Sequence, residues 1–486
     1  MSDLSPMSFF GRKSLLASLQ SQLDAVTRSG TGRILAVRGR RQIGKLTTIE
    51  RFIDSTDVPS LFATAVFGAT TLQHLTNATI AITQARHPLP NAGLLTQSPA
   101  TSWRDLLGRV ALAAQSGPVI IALDEFPWFT RADPTLEGEL QVQWDRTLER
   151  LPVLLILIGS DVTMMERLAT HDRPLFGRLR PMSIPALNPA ELAEAMPGAT
   201  PTEVFDAHLI TGGYPRLAAD LAEAGGTPAE FVRASLTDPF SPLATTARLT
   251  LDAEFPDGPI AYRVLAAIGA DDTAKPGFTQ ILTTIADPAD RKRTETAITR
   301  ALRSLTDDKA LIEREQPAWS AASSRLRRYR ITDPYLRFWF RFIERQTDLI
   351  ARGRSDLAVA AFDRGWPSWR GRSIEPVVRQ SLLRLALTDP RLTDVDAVRP
   401  WWVRDNSVEL DVVATTRSRT AMVGTIKWRA RGGVTDRDLA RLRADRGRVP
   451  HTENALLAAI SPLGEAPTGV DVSYSAADLL AAWDAG

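Results

Sequence analysis

The chain has 486 residues, with 58 basic and 56 acidic side chains and a formal net charge of +2. That length exceeds what one hydrophobic core usually organises, so two to four domains are expected. The near balance of charge confines any nucleic-acid surface to a local patch, and the absence of cysteine excludes disulfides, thiolate metal sites and a cysteine nucleophile. The five histidines (His74, His87, His171, His208, His451) form no metal-spaced pair, so each reads as structural. The opening Met1-Ser-Asp-Leu-Ser-Pro6 lacks the basic and apolar regions of a secretory signal. Apolar runs such as Val153–Ile158 are far too short to span a bilayer. The expectation is a cytoplasmic protein with no membrane partner.

In chain order, the apolar run Ile34–Val37 is followed by Gly39-Arg40-Arg41-Gln42-Ile43-Gly44-Lys45-Leu46, which leads into a helix from Thr47. A strand, a glycine-bounded loop, a lysine and a helix start form a phosphate cradle. Backbone N–H groups and the helix N-terminus face the phosphates, and Lys45 neutralises them. The pattern asks for Ser or Thr after the lysine, because that hydroxyl ligates Mg²⁺; here the position is Leu46. Thr47 and Thr48 are adjacent, but each helical step turns the side chain by about 100°, so neither points where residue 46 points. ATP or ADP binding is expected to survive this change, and hydrolysis to be slow or absent.

Ser60–Val66 reads as a strand and Trp103–Ala114 as an amphipathic helix. Pro118–Leu123 is a buried-strand run ending in Asp124 and Glu125. In a phosphate site Asp124 would hold the Mg²⁺ hydration shell and Glu125 would polarise the attacking water; otherwise the two are a solvated acidic pair. A helix near Leu140–Arg150, a strand Val153–Ile158 and a short strand Met182–Ala186 complete the first ~190 residues. Alternating elements of this kind imply an α/β fold whose parallel sheet is covered on both faces, with the phosphate loop at its carboxyl edge.

Residues 191–255 read as a small helical lid. From 256 to 332 the rhythm changes to three short helices, Ile260–Ile268, Phe278–Ile285 and Arg293–Leu305, then strands Ala310–Arg314 and Arg327–Ile331. Three helices and a β-wing describe a winged helix. Its third helix carries Arg291, Lys292, Arg293, Arg300 and Arg303, and its wing Arg325, Arg327, Arg328 and Arg330, a distribution that suits phosphate contacts along DNA. A packing module with solvated arginines is the alternative. Between Lys427 and Arg448 eight basic residues face three acidic ones, a second local excess.

Phe10-Gly-Arg12, the phosphate loop, Leu123-Asp-Glu-Phe-Pro127, Leu140–Asp145, Leu157-Ile-Gly-Ser160, Pro174–Arg178 and Gly212-Gly-Tyr-Pro-Arg216 follow in order. This succession resembles the archaeal-type ATPase family of the AAA+/STAND P-loop superfamily. Tyr329–Phe342 resembles the signature opening that family's C-terminal domain, which is related to PD-(D/E)XK nucleases. The resemblance implies four segments: a nucleotide-binding domain (1–190), the lid (191–255), a winged helix (256–332) and a small α/β nuclease-like domain (333–486). It implies that Ser160 senses the γ-phosphate, unless it merely caps a turn, and that Arg178 is an arginine finger in cis or in trans, unless it is a solvated arginine. Phe10-Gly-Arg12 would pack near the adenine, and Gly212-Gly213 would make a sharp turn near the nucleotide.

The nuclease resemblance places Glu375 on a helix, Asp411 on a strand, and Thr425 and Lys427 on the next element. Thr425 stands where a metal-binding carboxylate belongs. Asp411 is the candidate divalent-ion ligand, and Glu409, two residues before it on the same strand face, is the substitute carboxylate. A nuclease-shaped binding module is expected rather than a working nuclease. Three functions remain open: an ATP-binding, DNA-associated regulator, an ATP- and Mg²⁺-dependent DNA nuclease, and a pseudo-enzyme scaffold with a protein partner or a second copy.

Overall fold

The longest apolar runs of the first third become one parallel sheet, because strands without polar alternation must be covered on both faces. In the computed structural model the strands of that sheet are β1 (Arg33–Arg38), β2 (Ser60–Thr64), β3 (Val119–Asp124), β4 (Val153–Gly159) and a more exposed edge strand, β5 (Leu179–Ser183). Their order is β2-β3-β4-β1-β5, and every pairing is parallel. Every residue of β3 and β4 is buried. The structure describes residues 9–255, 258–270, 275–286, 291–321, 323–429 and 431–484. The opening segment read above as lacking a signal lies outside them.

The chain forms two compact units, one spanning Arg12–Ala186 and the other combining the residues up to Gly11 with those from Leu187 onward. In the first, helices Lys13–Ser29, Lys45–Asp54, Thr71–Gln84, Trp103–Ala114 and Leu136–Arg146 accompany the sheet. Thr70 and Ser102 cap two of them by accepting N–H groups of the first turn. Two elements differ from the sequence reading. The fifth strand is Leu179–Ser183 rather than Met182–Ala186, because Pro185 has no N–H to continue the ladder, while Pro181 is tolerated on an edge strand. The helix near Leu140–Arg150 starts earlier, at Leu136, and breaks after Arg146 into a short 3₁₀ turn, Leu148–Arg150.

The second unit begins with helices Pro189–Ala193, Pro201–Thr211, Pro215–Ala224, Pro228–Thr237 and Pro242–Glu254, each opened by a proline at a position where no N–H is needed. The Gly212-Gly213 turn is required. Gly213 has φ 72°, and a Cβ there would sit 2.1 Å from the Leu187 carbonyl oxygen. Helices Pro259–Ala270, Phe278–Ile285 and Arg291–Arg303 follow, then the antiparallel ribbon of β6 (Ile312–Glu315) and β7 (Arg328–Ile331).

Beyond it come the aromatic helix Pro334–Phe342, helices Ser355–Ser373 and Glu375–Leu385, and a five-stranded mixed sheet. Its strands are β8 (Ala397–Trp402), β9 (Glu409–Thr415), β10 (Thr420–Ile426), β11 (Leu456–Ile460) and β12 (Val472–Tyr474), in the order β12-β11-β10-β9-β8. Helix Asp436–Arg446 crosses between the parallel pair β10 and β11. No helix among the described residues is long and apolar enough to cross a membrane.

Candidate functional site

The first candidate site begins where β1 ends. A Cβ on Gly39 would lie 2.6 Å from the Ile184 carbonyl oxygen, so the chain leaves the strand through a gap only glycine fits. Gln42 and Gly44 adopt left-handed φ of 61° and 82°, and Gly44 turns the loop into helix Lys45–Asp54. The first N–H groups of that helix have no intrahelical partner and face the loop. Lys45 is buried, and its ammonium donates to the carbonyls of Gly39 and Arg40 at 2.8 Å each. The buried Arg12 guanidinium donates to Ile43 O (2.9 Å) and Pro185 O (2.6 Å), which ties the loop to the end of the fifth strand.

Sheet order brings the acidic pair to this loop. Thr64 is level with Asp124, Leu123 with Leu157, and Ile158 with Val37, so Asp124 stands at the carboxyl edge. Because β4 lies between β1 and β3, Ser160 emerges between the loop and the acidic pair. The Ser160 hydroxyl donates to Glu125 Oε1 at 2.8 Å. Burial, and then the Glu125 charge, push the Asp124 carboxyl above the usual range, while Lys45 and the Thr64 hydroxyl oppose that shift. Glu125 has φ 53° and starts helix Phe126–Ala132.

The donor set does not supply the hydroxyl ligand that Mg²⁺ takes in such a loop. Leu46 is 40% exposed and apolar. Thr48 is buried and donates to Gly44 O at 2.7 Å, and Thr47 faces solvent. Among the described residues no group of three or more His, Asp or Glu side chains is placed to hold a metal.

Arg178 belongs elsewhere. Its neighbour Leu179 is level with Ile34, so Arg178 sits at the amino edge of the sheet. The loop lies beyond the other end of β1, about five residues or roughly 17 Å away at ~3.3 Å per residue. There Arg178 holds both oxygens of Asp145, at 2.6 and 2.7 Å. The arginine finger in cis is therefore corrected to an ion pair.

The second candidate site is a cleft of about 570 Å³ in the other unit, and Glu375, Glu409, Asp411, Thr425 and Lys427 all line it. Asp411 Oδ2 accepts from Thr425 Oγ1 (3.1 Å) and Ile426 N (2.8 Å) and lies 4.0 Å from the Lys427 ammonium. Burial, and then Glu375, raise the Asp411 carboxyl above its usual range. Glu375 is itself paired, 2.6 Å from Lys275 Nζ and 3.6 Å from Arg379. Burial pushes the Glu375 carboxyl up, but Lys275 and Arg379 outweigh it and hold it below the ordinary value. Glu409 does share the cleft with Asp411, yet its carboxylate accepts from Arg328 at 2.6 Å instead of standing free as a substitute ligand.

The arginines of the ribbon are likewise committed. Arg328 also donates to Asn406 (2.8 Å) and stacks 4.2 Å over the Trp402 ring, and Arg330 is buried against Glu313. Arg327 donates to Ser324 O at 2.8 Å, whereas Arg325 is exposed. Helix Arg291–Arg303 is different: Arg291, Lys292, Arg293, Arg300 and Arg303 are all exposed. Of the basic residues read from the sequence on a winged helix, those of this helix and Arg325 are exposed.

Comparison with known proteins bears on the fold. Residues 339–441 match the DUF234 family, described as archaeal and bacterial proteins of unknown function. The Walker-type ATPase of Pyrococcus abyssi aligns over 70% of this chain and 99% of its own, at 16% identity and a TM-score of 0.50. The chain shares the fold of that protein and carries a segment that matches DUF234. The Aeropyrum pernix ORC2 protein, in its ADPNP–ADP complexes, aligns over 75% of this chain and 98% of its own at 15% identity and a TM-score of 0.45. An uncharacterised protein of Methanocaldococcus jannaschii, MJECL04, is 24% identical over 328 residues, which is 67% of this chain and 70% of that protein. The DUF234 match and the fold shared with the Pyrococcus abyssi protein agree with the resemblance read from the sequence. The DUF234 segment starts within the aromatic helix Pro334–Phe342 and includes Glu375, Glu409, Asp411 and Lys427.

Four residues of these sites went unread in the sequence: Thr64, Lys275, Glu315 and Arg379. Thr64 was reachable, since it closes the strand run before the acidic strand. Lys275 and Glu315 carry no local signal, because their partners Glu375 and Arg379 are 100 and 64 residues away in the chain.

Proposed function

We propose that this protein binds ATP or ADP at Gly39–Thr47, turns it over slowly or not at all, and uses the bound nucleotide to regulate how its second unit binds DNA. The observation that carries this reading is the loop itself. Gly44 and the helix start at Lys45 form an anion cradle at the carboxyl edge of the sheet, and Asp124, Glu125 and Ser160 converge there, with Leu46 where a hydroxyl is needed. Backbone N–H groups and Lys45 hold the phosphates. Glu125, oriented by the Ser160 hydroxyl, is the group that would accept a proton from an attacking water. The fold shared with a protein named as a Walker-type ATPase supports nucleotide as the ligand.

In this reading the segments are a nucleotide-binding domain (1–190), a helical lid (191–255), a winged helix (256–332) and a nuclease-like module (333–486) that binds without cutting. The exposed Arg291, Lys292, Arg293, Arg300 and Arg303 are the groups that meet DNA phosphates. Isothermal titration with ATP and ADP tests the nucleotide site. Lys45→Ala should weaken binding by roughly 10- to 100-fold, the loss of one charged hydrogen-bonding group of about 1.5–3 kcal/mol. Equal affinity in the two proteins would reject the assignment.

A further inference from the structure

Two carboxylates, Glu375 and Asp411, line the cleft of the second unit, where the nuclease resemblance would place a divalent cation. The residues here do not fit one. Divalent ions of this kind demand several open oxygen ligands at about 2.0–2.6 Å. The Oε2 atom of Glu375 is instead shared by Lys275, at 2.6 Å, and Arg379, at 3.6 Å. Asp411 Oδ2 already accepts two hydrogen bonds, and a threonine hydroxyl rather than a third carboxylate lies beside it.

We infer that the ammonium of Lys275 is the built-in cation of this centre, so the native protein takes no divalent ion there, and that removing Lys275 creates a divalent-cation site on Glu375 and Asp411. Lys275 is almost fully buried, with its side chain 5% exposed. A buried charge persists only when paired, and this ammonium has Glu375 at 2.6 Å and Glu315 at 3.8 Å. Arg379 closes the other side of the same group, 2.7 Å from Glu315 and hydrogen-bonded to Asp411 O at 3.1 Å. A dication entering beside an ammonium and a guanidinium would be repelled by both and would find the nearest carboxylate oxygen already occupied. Without Lys275, the three carboxylates Glu315, Glu375 and Asp411 keep only Arg379 and Lys427 as close cations, a net negative charge that favours a hard cation. Lys275 enters from the segment before helix Phe278–Ile285, so this internal cation also fastens that segment to helix Glu375–Leu385.

The inference goes beyond the nucleotide reading and is tested without nucleotide, so failure of one does not touch the other. Mn²⁺ uptake by the full-length, nucleotide-free protein is followed through loss of the electron paramagnetic resonance signal of free Mn²⁺. Wild type and Lys275→Arg should leave the signal unchanged. Lys275→Met should remove about one equivalent of Mn²⁺ per chain, and the double variant Lys275→Met with Glu375→Gln should lose that uptake. Uptake by the wild type that disappears in Glu375→Gln would overturn the inference, as would a Lys275→Met protein with a wild-type circular dichroism spectrum and no uptake. If Lys275→Met does not fold, the wild-type melting curve decides. An unchanged midpoint in Mn²⁺ supports the inference, and a rise abolished by Glu375→Gln rejects it.

Discussion

Leu46 separates two properties that usually travel together in a phosphate loop. In the proposed reading, phosphate affinity would arise from backbone N–H groups and from Lys45, neither of which the leucine disturbs. Turnover needs a positioned metal ion, and Thr48, the nearest buried hydroxyl, is spent on the Gly44 carbonyl. Leu46→Thr should therefore raise ATP turnover in a steady-state phosphate-release assay while changing nucleotide affinity only a few-fold. Wild-type turnover already in the range of roughly 1–100 per second would show that another group does the work of the missing hydroxyl. Ser160 gives a complementary test. Its hydroxyl holds Glu125 at 2.8 Å, so Ser160→Ala should lower the turnover of the Leu46→Thr protein and leave ADP binding unchanged.

At the scale of elements, ion pairs set which arginines are available. Glu315 on the ribbon is buried among Arg379, Lys275 and Arg330. Burial raises its carboxyl, but these three cations outweigh it and bring the value down to about 2. Its ordinary value is 4.5, so between 4.5 and about 2 the unfolded chain holds the proton that the folded one does not. The stability this group contributes is thus complete above pH 4.5 and drains away as pH falls toward 2. Glu315→Gln should cost about 3–5 kcal/mol at neutral pH, because it leaves Arg379 and Lys275 short of a buried partner. It should also flatten the acid limb of a chemical-denaturation series measured from pH 7 downward.

Helix Arg291–Arg303 makes the opposite prediction. Alanine at Arg293, Arg300 and Arg303 should leave stability nearly unchanged and lower the salt slope of DNA binding by up to about 3, one for each phosphate no longer neutralised. Arg330→Ala should instead destabilise the ribbon. If the helix variants bind DNA with an unaltered slope in fluorescence anisotropy, this helix is not the DNA-binding surface.

The same contrast explains what the sequence could and could not disclose. The sheet was legible because Ile34–Val37, Ile120–Leu123 and Val153–Ile158 must be buried on both faces, and each became a strand. The loop Gly39–Gly44 between strand and helix was legible because its residues are consecutive in the chain. Arg178 misled, since a Gly-Arg pair carries no information about which end of the sheet it reaches; only the register of Leu179 with Ile34 supplies that. The arginines of β7 misled for a related reason. Their partners Glu409 and Glu313 are 81 and 17 residues away, so a run that reads as free positive charge is largely neutralised in the fold.

For the whole molecule, a regulator must carry free energy from one ligand to the other. The proposal puts nucleotide on the unit Arg12–Ala186 and DNA on the unit from Leu187 onward, so coupling would be a property of the complete chain. Thermodynamic linkage makes the effect reciprocal: if ATP changes the DNA dissociation constant by some factor, DNA changes the ATP dissociation constant by the same factor. Coupling energies of about 1–3 kcal/mol correspond to roughly 5- to 150-fold. The regulator reading predicts a shift of at least about 5-fold in DNA affinity between nucleotide-free and ATP-saturated protein, with a matching shift when ATP is titrated into the DNA complex. Lys45→Ala should abolish the ATP-dependent part and leave nucleotide-free DNA binding as it was. Anisotropy for DNA and calorimetry for ATP, at one fixed salt concentration, provide both sides of the cycle. Identical DNA affinity with and without saturating ATP would reduce the protein to two independent binding modules sharing one chain.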